Sequence, residues 1–501
     1  MKKHLLVAFS LATFMVSAQD KASRYAPVIS TKGLKEKLTV IASPEMEGRE
    51  TGMPGERKAA AYIEEQFRKI GLQPGNGNSY QMMYPVYRDE VSDKSLRVNG
   101  RSFEWDKQYF FNLASVTNGT TMVKNTVFAG HGIVDSAKSI NDLAGLDIKE
   151  KLVMVLDGDG GTGSTAGSSF AKMNALRRAG AAGILMISSA FPKATATATT
   201  GNIYFRQNTG APFLIMTISP EIASALLGRT STLSVNDLKT VRKGTYIAEL
   251  QLMVEKKTTT LETSNVIGVL PGTDKKGEYV FLTAHHDHLG MRNGQIYYGA
   301  DDDGSGTVSV IQMAEAFMAA AKKGDRPRRS IAFMTVSGEE KGLWGSEYYS
   351  DHPIFPLDKT TVNLNIDMVG RVDTERQTAD SLNYVYVIGH DKLSSELAPI
   401  NEAANNKFTK LTLDYKYDDP KDVNRIYYRS DHYNFARKGV PILFFYDGML
   451  KADYHKVTDT IEKINFDLMQ KRVQMIYYTA WDMANRDNML KRDIPLTMPG
   501  R

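Results

Sequence analysis

FLTAHHDHLGMRNGQIYYGADDDGSG, residues 281–306, passes from a buried strand into a helix by way of two polar clusters. Tyr279, Val280, Phe281 and Leu282 make an apolar run, and His285, His286, Asp287, His288 and Gly290 follow where it breaks. Asp301, Asp302 and Asp303 form the second cluster, and Gly304 and Gly306 lead into an apolar helix expected over about residues 307–322. Imidazoles and carboxylates at the end of a strand are expensive to bury unless something neutralises them. A metal ion does so, and nitrogen plus carboxylate oxygen is an ordinary zinc donor set.

Outward from this stretch the chain alternates strands and helices. Strands are expected near 265–270, 279–284, 330–336, 362–367 and 441–446, and a closing helix over 466–486. Such alternation implies a parallel or mixed sheet covered on both faces, with ligands beyond the carboxyl ends of the strands. Four more polar clusters fall in that position. Ser337-Gly338-Glu339-Glu340 ends the strand IAFMTV, and Asp367 ends VNLNI. Ser430-Asp431-His432 precedes a short helix, and Tyr454-His455 lies beyond PILFFY. A lone Asp after a strand is usually a turn residue; the number, order and shared placement of these clusters carry the argument.

Before the sheet, residues 32–72 read as two helices around a turn-rich break. Leu34, Leu38 and Ile41 begin one apolar face, Pro54 suits a first helical turn, and Ala59, Ile63, Phe67 and Ile70 continue at helical spacing up to Gly71. The stretch 48–55 admits two readings, a plain loop or a loop pinned beneath the site. From about Thr120 to Gly244 the acidic clusters disappear, and a strand–helix–strand module (151–156, 170–179, 183–187) is bounded by Gly- and Thr-rich pieces. It reads as a separate inserted domain, in which His131 stands alone and is a structural or surface histidine, not a ligand.

The 501 residues exceed one ordinary core, so more than one domain is expected. Hydrophobic content of 42% and charged content of 24% fit a globular protein. The formal charge of +5 becomes +3 if Lys2 and Lys3 leave with a leader, and no basic block is interleaved with aromatics, which gives nucleic-acid binding no support. Lys2 and Lys3, the apolar run 5–16 and Val16-Ser17-Ala18 read as a secretory signal cleaved before Gln19. The chain has no cysteine, which excludes disulfides and thiolate zinc sites. The expectation is an exported protein, periplasmic or secreted, without a membrane anchor in the mature chain.

The motifs AHHDHLG, GADDDGSG, SGEEKGLWGS, NIDMVGR and DYHKVTDT, in this order, resemble those of the co-catalytic zinc aminopeptidases, peptidase family twenty-eight. The leading segment ASPEMEGRETGMPGERKAAAYIEEQFRKIGL shares in the likeness, and NDLAGLDIKEKLVMVLDG with AKMNALRRAGAAGILMI resembles a protease-associated domain. The resemblance implies a three-layer α/β sandwich with a mixed central sheet and an inserted β-rich domain near the active-site mouth. It divides the chain into a signal peptide (1–18), a catalytic domain in two parts (19–119 and 245–490), the insert (120–244) and a tail (491–501).

Carried over residue by residue, the resemblance implies two zinc ions. One has His285, Asp302 and Asp367 as ligands, and the other Asp302, Glu340 and His455. Asp302 bridges them, and Asp301 and Asp303 are structural or support the ligands without binding metal. Asp287 orients His285, Glu339 is the general base, and Tyr454 faces the developing oxyanion. His288, Asp431 and His432 support the site. Three carboxylates offset most of the charge of two divalent ions, and such a pair can activate water and polarise a carbonyl together. Where the family often has Thr and Pro after the last histidine, this chain has Lys456 and Val457, which leaves the local loop and substrate pocket open. The implied activity is hydrolysis of N-terminal peptide bonds. A carboxypeptidase acting on acidic peptides and a non-catalytic binding protein share the scaffold; a one-zinc glutaminyl cyclase fits the complete ligand set less well.

Overall fold

The computed structural model describes residues 21–206, 212–419 and 421–496. The expected signal peptide and the end of the expected tail lie outside them. The chain divides into two compact units, one of residues 1–85 with 262–501 and the other Val86–Leu261. The second unit is wider than the 120–244 expected for an insert. The strands Gln81–Val98 and Gly244–Leu270 run through both boundaries without a break in composition, so the loss of acidic clusters marks where the chemistry stops and not where compactness changes.

In the first unit the sheet consists of the end, from Glu262, of β1 (Gly244–Leu270), and of β2 (Lys275–His285), β3 (Arg329–Val336), β4 (Thr360–Ile366), β5 (Tyr384–Ile388), β6 (Thr412–Asp414) and β7 (Ile442–Tyr446). Their order is β6-β5-β7-β4-β2-β3-β1. The central strands β7, β4, β2 and β3 are mutually parallel, while β1 and β5 join antiparallel to β3 and β7. Successive side chains on a strand face opposite ways, and here that alternation feeds two cores. Val280, Leu282, Leu364 and Phe333 pack with α1 (Thr31–Ile41), α2 (Pro54–Ile70), α3 (Gly306–Lys322) and α7 (Phe466–Asn485). Phe281, Met334 and Phe444 pack on the other face with Tyr349 of α4 (Trp344–Asp351) and Phe435 of α6 (His432–Ala436). The result is the three-layer mixed α/β architecture expected from the alternation. A further helix, α5 (Leu397–Phe408), and the strands β5 and β6 were not anticipated.

The second unit has its own core, and its strands continue the ladder from the 244–254 part of β1. The strands Gly119–Phe128, Leu152–Leu156, Gly183–Ile187 and Leu214–Ile218 are parallel neighbours in that order, with Tyr109–Phe111 antiparallel beyond the last. The anticipated helix is Ser169–Arg178.

The loop between α1 and α2 is pinned to the segment after β2. Gly290 N donates to Gly48 O and His288 N to Arg49 O. Arg49 is fully buried and donates to the carbonyls of Ile41 (2.9 Å), His286 (2.8 Å), Tyr298 (2.7 Å) and Gly299 (2.9 Å). Glu56 on α2, also fully buried, meets His286 Nε2 at 3.0 Å. Of the two readings of this loop, the pinned one holds. Replacing Arg49 with Met should leave those carbonyls buried and unsatisfied, at about 1–3 kcal/mol each if they find no water. A denaturant melt should show a loss of at least about 3 kcal/mol; a loss below about 1 kcal/mol would mean that the loop is held by other contacts.

Candidate metal centre

The carboxyl ends of the parallel strands place the predicted residues. His285 is the last residue of β2, Glu339 and Glu340 follow β3, Asp367 follows β4, and Tyr454 and His455 lie in the loop beyond β7. Asp302 comes from the turn Ala300–Ser305 that enters α3; its peptide bond to Asp303 is cis. Gly306 at the start of α3 cannot be larger, because a Cβ there would collide with the Asp303 carboxylate and the Ile366 carbonyl.

Asp302 stands between two imidazoles. Its Oδ1 is 3.4 Å from His285 Nε2 and its Oδ2 is 3.1 Å from His455 Nε2. His285 Nε2 also lies 3.6 Å from Asp367 Oδ1 and 3.8 Å from Glu339 Oε2. His455 Nε2 lies 3.0 Å from Glu340 Oε2. His288 Nδ1, expected only to support the site, is 2.7 Å from Glu340 Oε1 and 3.9 Å from Asp302 Oδ2. Taking one donor atom from each residue, His285, Glu339 and Asp367 fall within 4.8 Å of one another, and so do His288, Asp302 and Glu340. All the predicted ligands are therefore brought together, with Glu339 and His288 closer to the donors than expected. His432 is not part of the group: its Nε2 donates to Tyr427 O at 2.8 Å and its ring stacks on Phe444.

The electrostatics follow from this crowding. Burial alone would raise the pKa of Asp302, but the imidazoles of His285 and His455 hold it well below the usual carboxylate range. Burial would lower that of His455, but Asp302 and Glu340 push it up to about 10. Burial pushes Glu339 well above the ordinary value; His285 opposes the rise, and the carboxylates of Asp367, Glu340 and Asp431 add to it. Burial likewise takes Asp431 up to about 7. A bound divalent cation inverts this local logic by favouring every neighbouring carboxylate in its charged form.

The surrounding carboxylates are held by backbone N–H groups. Asp303 accepts from His285 N (3.0 Å), Gly306 N (2.8 Å) and Met368 N (3.1 Å), tying the ends of β2 and β4 to α3. Asp301 accepts from Gly370 N at 2.8 Å, and Asp459 from the N–H groups of Asp301 and Asp302 at 3.1 Å. Asp459 was not singled out in the sequence, although it is one of the two acidic residues of DYHKVTDT, with Asp453. The expected orientation of His285 by Asp287 takes a different form. His285 Nδ1 lies 3.1 Å from the Asp287 carbonyl and 3.6 Å from its carboxylate. The carboxylate accepts from Thr51 Oγ1 (2.7 Å) and from Glu339 N (3.1 Å). Donation from Nδ1 to the carbonyl fixes the tautomer that leaves Nε2 free as a ligand. Tyr454 stacks on His455 at 3.8 Å, and its hydroxyl accepts from Arg429 Nη2 at 3.0 Å.

His285 Nε2, both ring nitrogens of His288, Asp302 Oδ2 and Glu340 Oε1 are buried and make no well-directed hydrogen bond, although His288 Nδ1 and Glu340 Oε1 lie 2.7 Å apart. Orphaned donors of this kind, converging from nitrogen and carboxylate oxygen, fit zinc. A third group, His390, Asp391 and Asp418, does not fit, because Lys392 Nζ lies 2.6 Å from a carboxylate oxygen of each aspartate and already neutralises them.

Residues 265–480 match Peptidase family M28. This segment is similar to peptidase family M28. It contains every candidate donor, whereas Arg49, Thr51 and Glu56, which brace the site, precede it. The probable leucine aminopeptidase of Trichophyton verrucosum (strain HKI 0517) is 26% identical over 226 residues, 44% of this chain and 57% of that protein. The chain thus spans little more than half the length of the curated relatives it matches. The fold of the whole chain is shared with solved structures. The aminopeptidase from Aneurinibacillus sp. strain AM-1 aligns with a TM-score of 0.54 at 20% identity, over 96% of this chain and 100% of that one. BSAP, a zinc aminopeptidase from Bacillus subtilis, aligns with 0.52 at 20% identity, over 94% and 99%.

Two outcomes follow for this segment. If Asp302 bridges two ions, Asp302→Asn should lower zinc stoichiometry and the thermal midpoint together, since bound metal stabilises the folded state. Stoichiometry unchanged from the parent would move the bridging role to another carboxylate. The second outcome concerns acid stability. Burial pushes His432 down to about 3, against about 6.5 in the unfolded chain. The unfolded state then binds the extra proton between those values, so stability is full above about pH 6.5 and is lost as pH falls toward 3, at up to about 1.4 kcal/mol per unit. His432→Gln should flatten the acid limb of a stability–pH profile; an unaltered limb would assign it to the carboxylates.

Proposed function

We propose that this chain is an exported, zinc-dependent exopeptidase that removes N-terminal residues from peptides. The observation that carries the reading is the Asp302 carboxylate set between His285 and His455, with Glu340, Asp367 and Glu339 around it at the carboxyl ends of parallel strands. The likeness to an M28 peptidase over residues 265–480 supports it. His285, Asp302 and Asp367 would hold one zinc ion, and Asp302, Glu340 and His455 a second. When bound, such ions supply Lewis acidity and make water nucleophilic near neutral pH.

The chain's own groups do the rest. Glu339, which neighbouring cations would keep in its charged form, takes the proton of the attacking water at its carboxylate and returns it to the leaving amine. Its backbone is fixed by the bond from its N–H to Asp287, which Thr51 braces in turn. Because the Tyr454 hydroxyl accepts from Arg429, its own proton is free to be donated to the substrate oxyanion. The second unit, Val86–Leu261, is proposed as a protease-associated insert that bears on substrate choice; the candidate metal donors described here all lie in the first unit. Among the described residues no helix is long and apolar enough to cross a membrane.

The exposed Arg429 guanidinium beside Tyr454 favours one second reading, a carboxypeptidase that receives a C-terminal carboxylate there. A panel of free and N-blocked peptides, with and without chelator, separates the two. An aminopeptidase cleaves aminoacyl chromogenic amides and free peptides, spares N-blocked ones and stops with chelator. Shortening of N-blocked peptides from the C-terminus would establish the second reading instead, and no cleavage by a fully zinc-loaded protein would leave a binding protein. Within the first reading, Glu339→Gln should keep its zinc and lose roughly 10²–10⁴-fold or more in kcat; near-parent turnover would remove Glu339 from the mechanism.

A further inference from the structure

The centre of the sheet contains polar side chains that the proposed reaction does not use. β2 and β4 are parallel neighbours in a register that places Phe281 beside Asn363 and Thr283 beside Asn365. The next pair up the same face is His285 and Asp367, 3.6 Å apart between Nε2 and Oδ1. The opposite face of the two strands, Leu282, Ala284, Leu364 and Ile366, is wholly apolar. Thr283, Asn363 and Asn365 are fully buried, and Ser430 very nearly so. Strands covered on both faces ordinarily read as continuous apolar runs. A buried amide or hydroxyl gains little net stability even when bonded, and residues of the same shape without polar atoms can serve the core as well. Three such groups on one face therefore answer a demand other than packing.

Their bonds run in one direction. Asn363 Nδ2 donates to Thr283 Oγ1 at 2.8 Å, Thr283 Oγ1 donates to Asn365 Oδ1 at 2.7 Å, and Asn365 Nδ2 donates to Ser430 Oγ at 2.8 Å. Asn365 thus uses both ends of its amide, one toward the strand of His285 and one toward the loop of Asp431, while its own strand carries Asp367 two residues on. A van der Waals contact would hold those three pieces near one another; a bonded amide also fixes their spacing and rotation, which metal donors need to within about 0.5 Å.

We propose that Asn365 is a positioning residue which, through Thr283 and Ser430, sets the separation of His285 and Asp367 and so the affinity of one of two metal positions. The proposal rests on the metal-site reading given above. Outer partners of metal ligands typically contribute 10–100-fold in affinity, and this ladder differs from the usual kind in acting through the strands instead of bonding to the ligands.

The test uses the full mature protein. Zinc dissociation constants for both equivalents are measured by competition with a chromophoric chelator in Thr283→Val, Thr283→Ser, Asn365→Leu and Ser430→Ala, beside the thermal midpoint of each metal-free protein. Thr283→Val and Asn365→Leu should weaken one equivalent by about 10–100-fold and the other by less than about 3-fold, with kcat falling and KM nearly constant. Thr283→Ser, which keeps the hydroxyl, should restore the parent value. Should Asn365→Leu not fold, Thr283→Val against Thr283→Ser decides the matter, with Ser430→Ala as the milder case. Unchanged constants, or equal weakening of both equivalents in step with the metal-free midpoint, would overturn the proposal and make the ladder a packing feature. A parent protein that binds no zinc would overturn the site reading itself, and this proposal with it.

Discussion

Too much negative charge is buried at one end of the sheet for the carboxylates to share a single environment, and the structure divides them. Asp303, Asp459 and Asp287 are satisfied by backbone N–H groups and a threonine hydroxyl, while Asp301 accepts from Gly370 N through one oxygen and leaves the other unpaired. Asp302 Oδ2 and Glu340 Oε1, with His285 Nε2, make no well-directed hydrogen bond although buried. That division separates the groups that shape the turn from those that face an ion. It also explains the local backbone. The turn Ala300–Ser305 brings consecutive N–H groups onto Asp459, and Gly306 clears room for the Asp303 carboxylate.

What could be read in the sequence was what periodicity and strand ends encode. The apolar runs around Phe281, Phe333, Leu364 and Phe444 located the four parallel strands, and each polar cluster after them proved to lie at a carboxyl end. The strands around Val385 and Leu413 were passed over: the second is only three residues long, and the first, though followed by His390 and Asp391, was not read as a strand. Partners distant in sequence were equally hidden. Nothing local tells that Arg49 bonds to carbonyls 237 to 250 positions away, or that Asp287 spends its carboxylate on Thr51 and Glu339. His288 was placed outside the donors on its motif position alone, yet its ring stands 2.7 Å from Glu340. The limits of the compact unit Val86–Leu261 are equally unmarked in the sequence, because two strands of 18 and 27 residues pass through them without a break in pattern.

The match to an M28 domain begins at residue 265, after the loop that braces the centre. Donors and brace therefore come from separate stretches of chain, with the second unit encoded between them. The matched segment does not hold all that its own donors need, since Glu339 is anchored through Asp287 to Thr51.

The distance between Arg49 and the carbonyls it satisfies has a consequence for how the molecule comes together. Closing a contact across 237 residues is an entropic burden that grows with the logarithm of the free length. Val86–Leu261 closes on itself, and its chain enters and leaves on the paired strands Gln81–Val98 and Gly244–Leu270. Once it has done so, only roughly 60 of those residues remain free, and at about 0.6 kcal/mol per doubling the closure becomes easier by roughly 1 kcal/mol. The inserted unit thereby acts as an internal splint: it forms from its own contacts and shortens the path by which the first helices reach the sheet made from the last half of the chain.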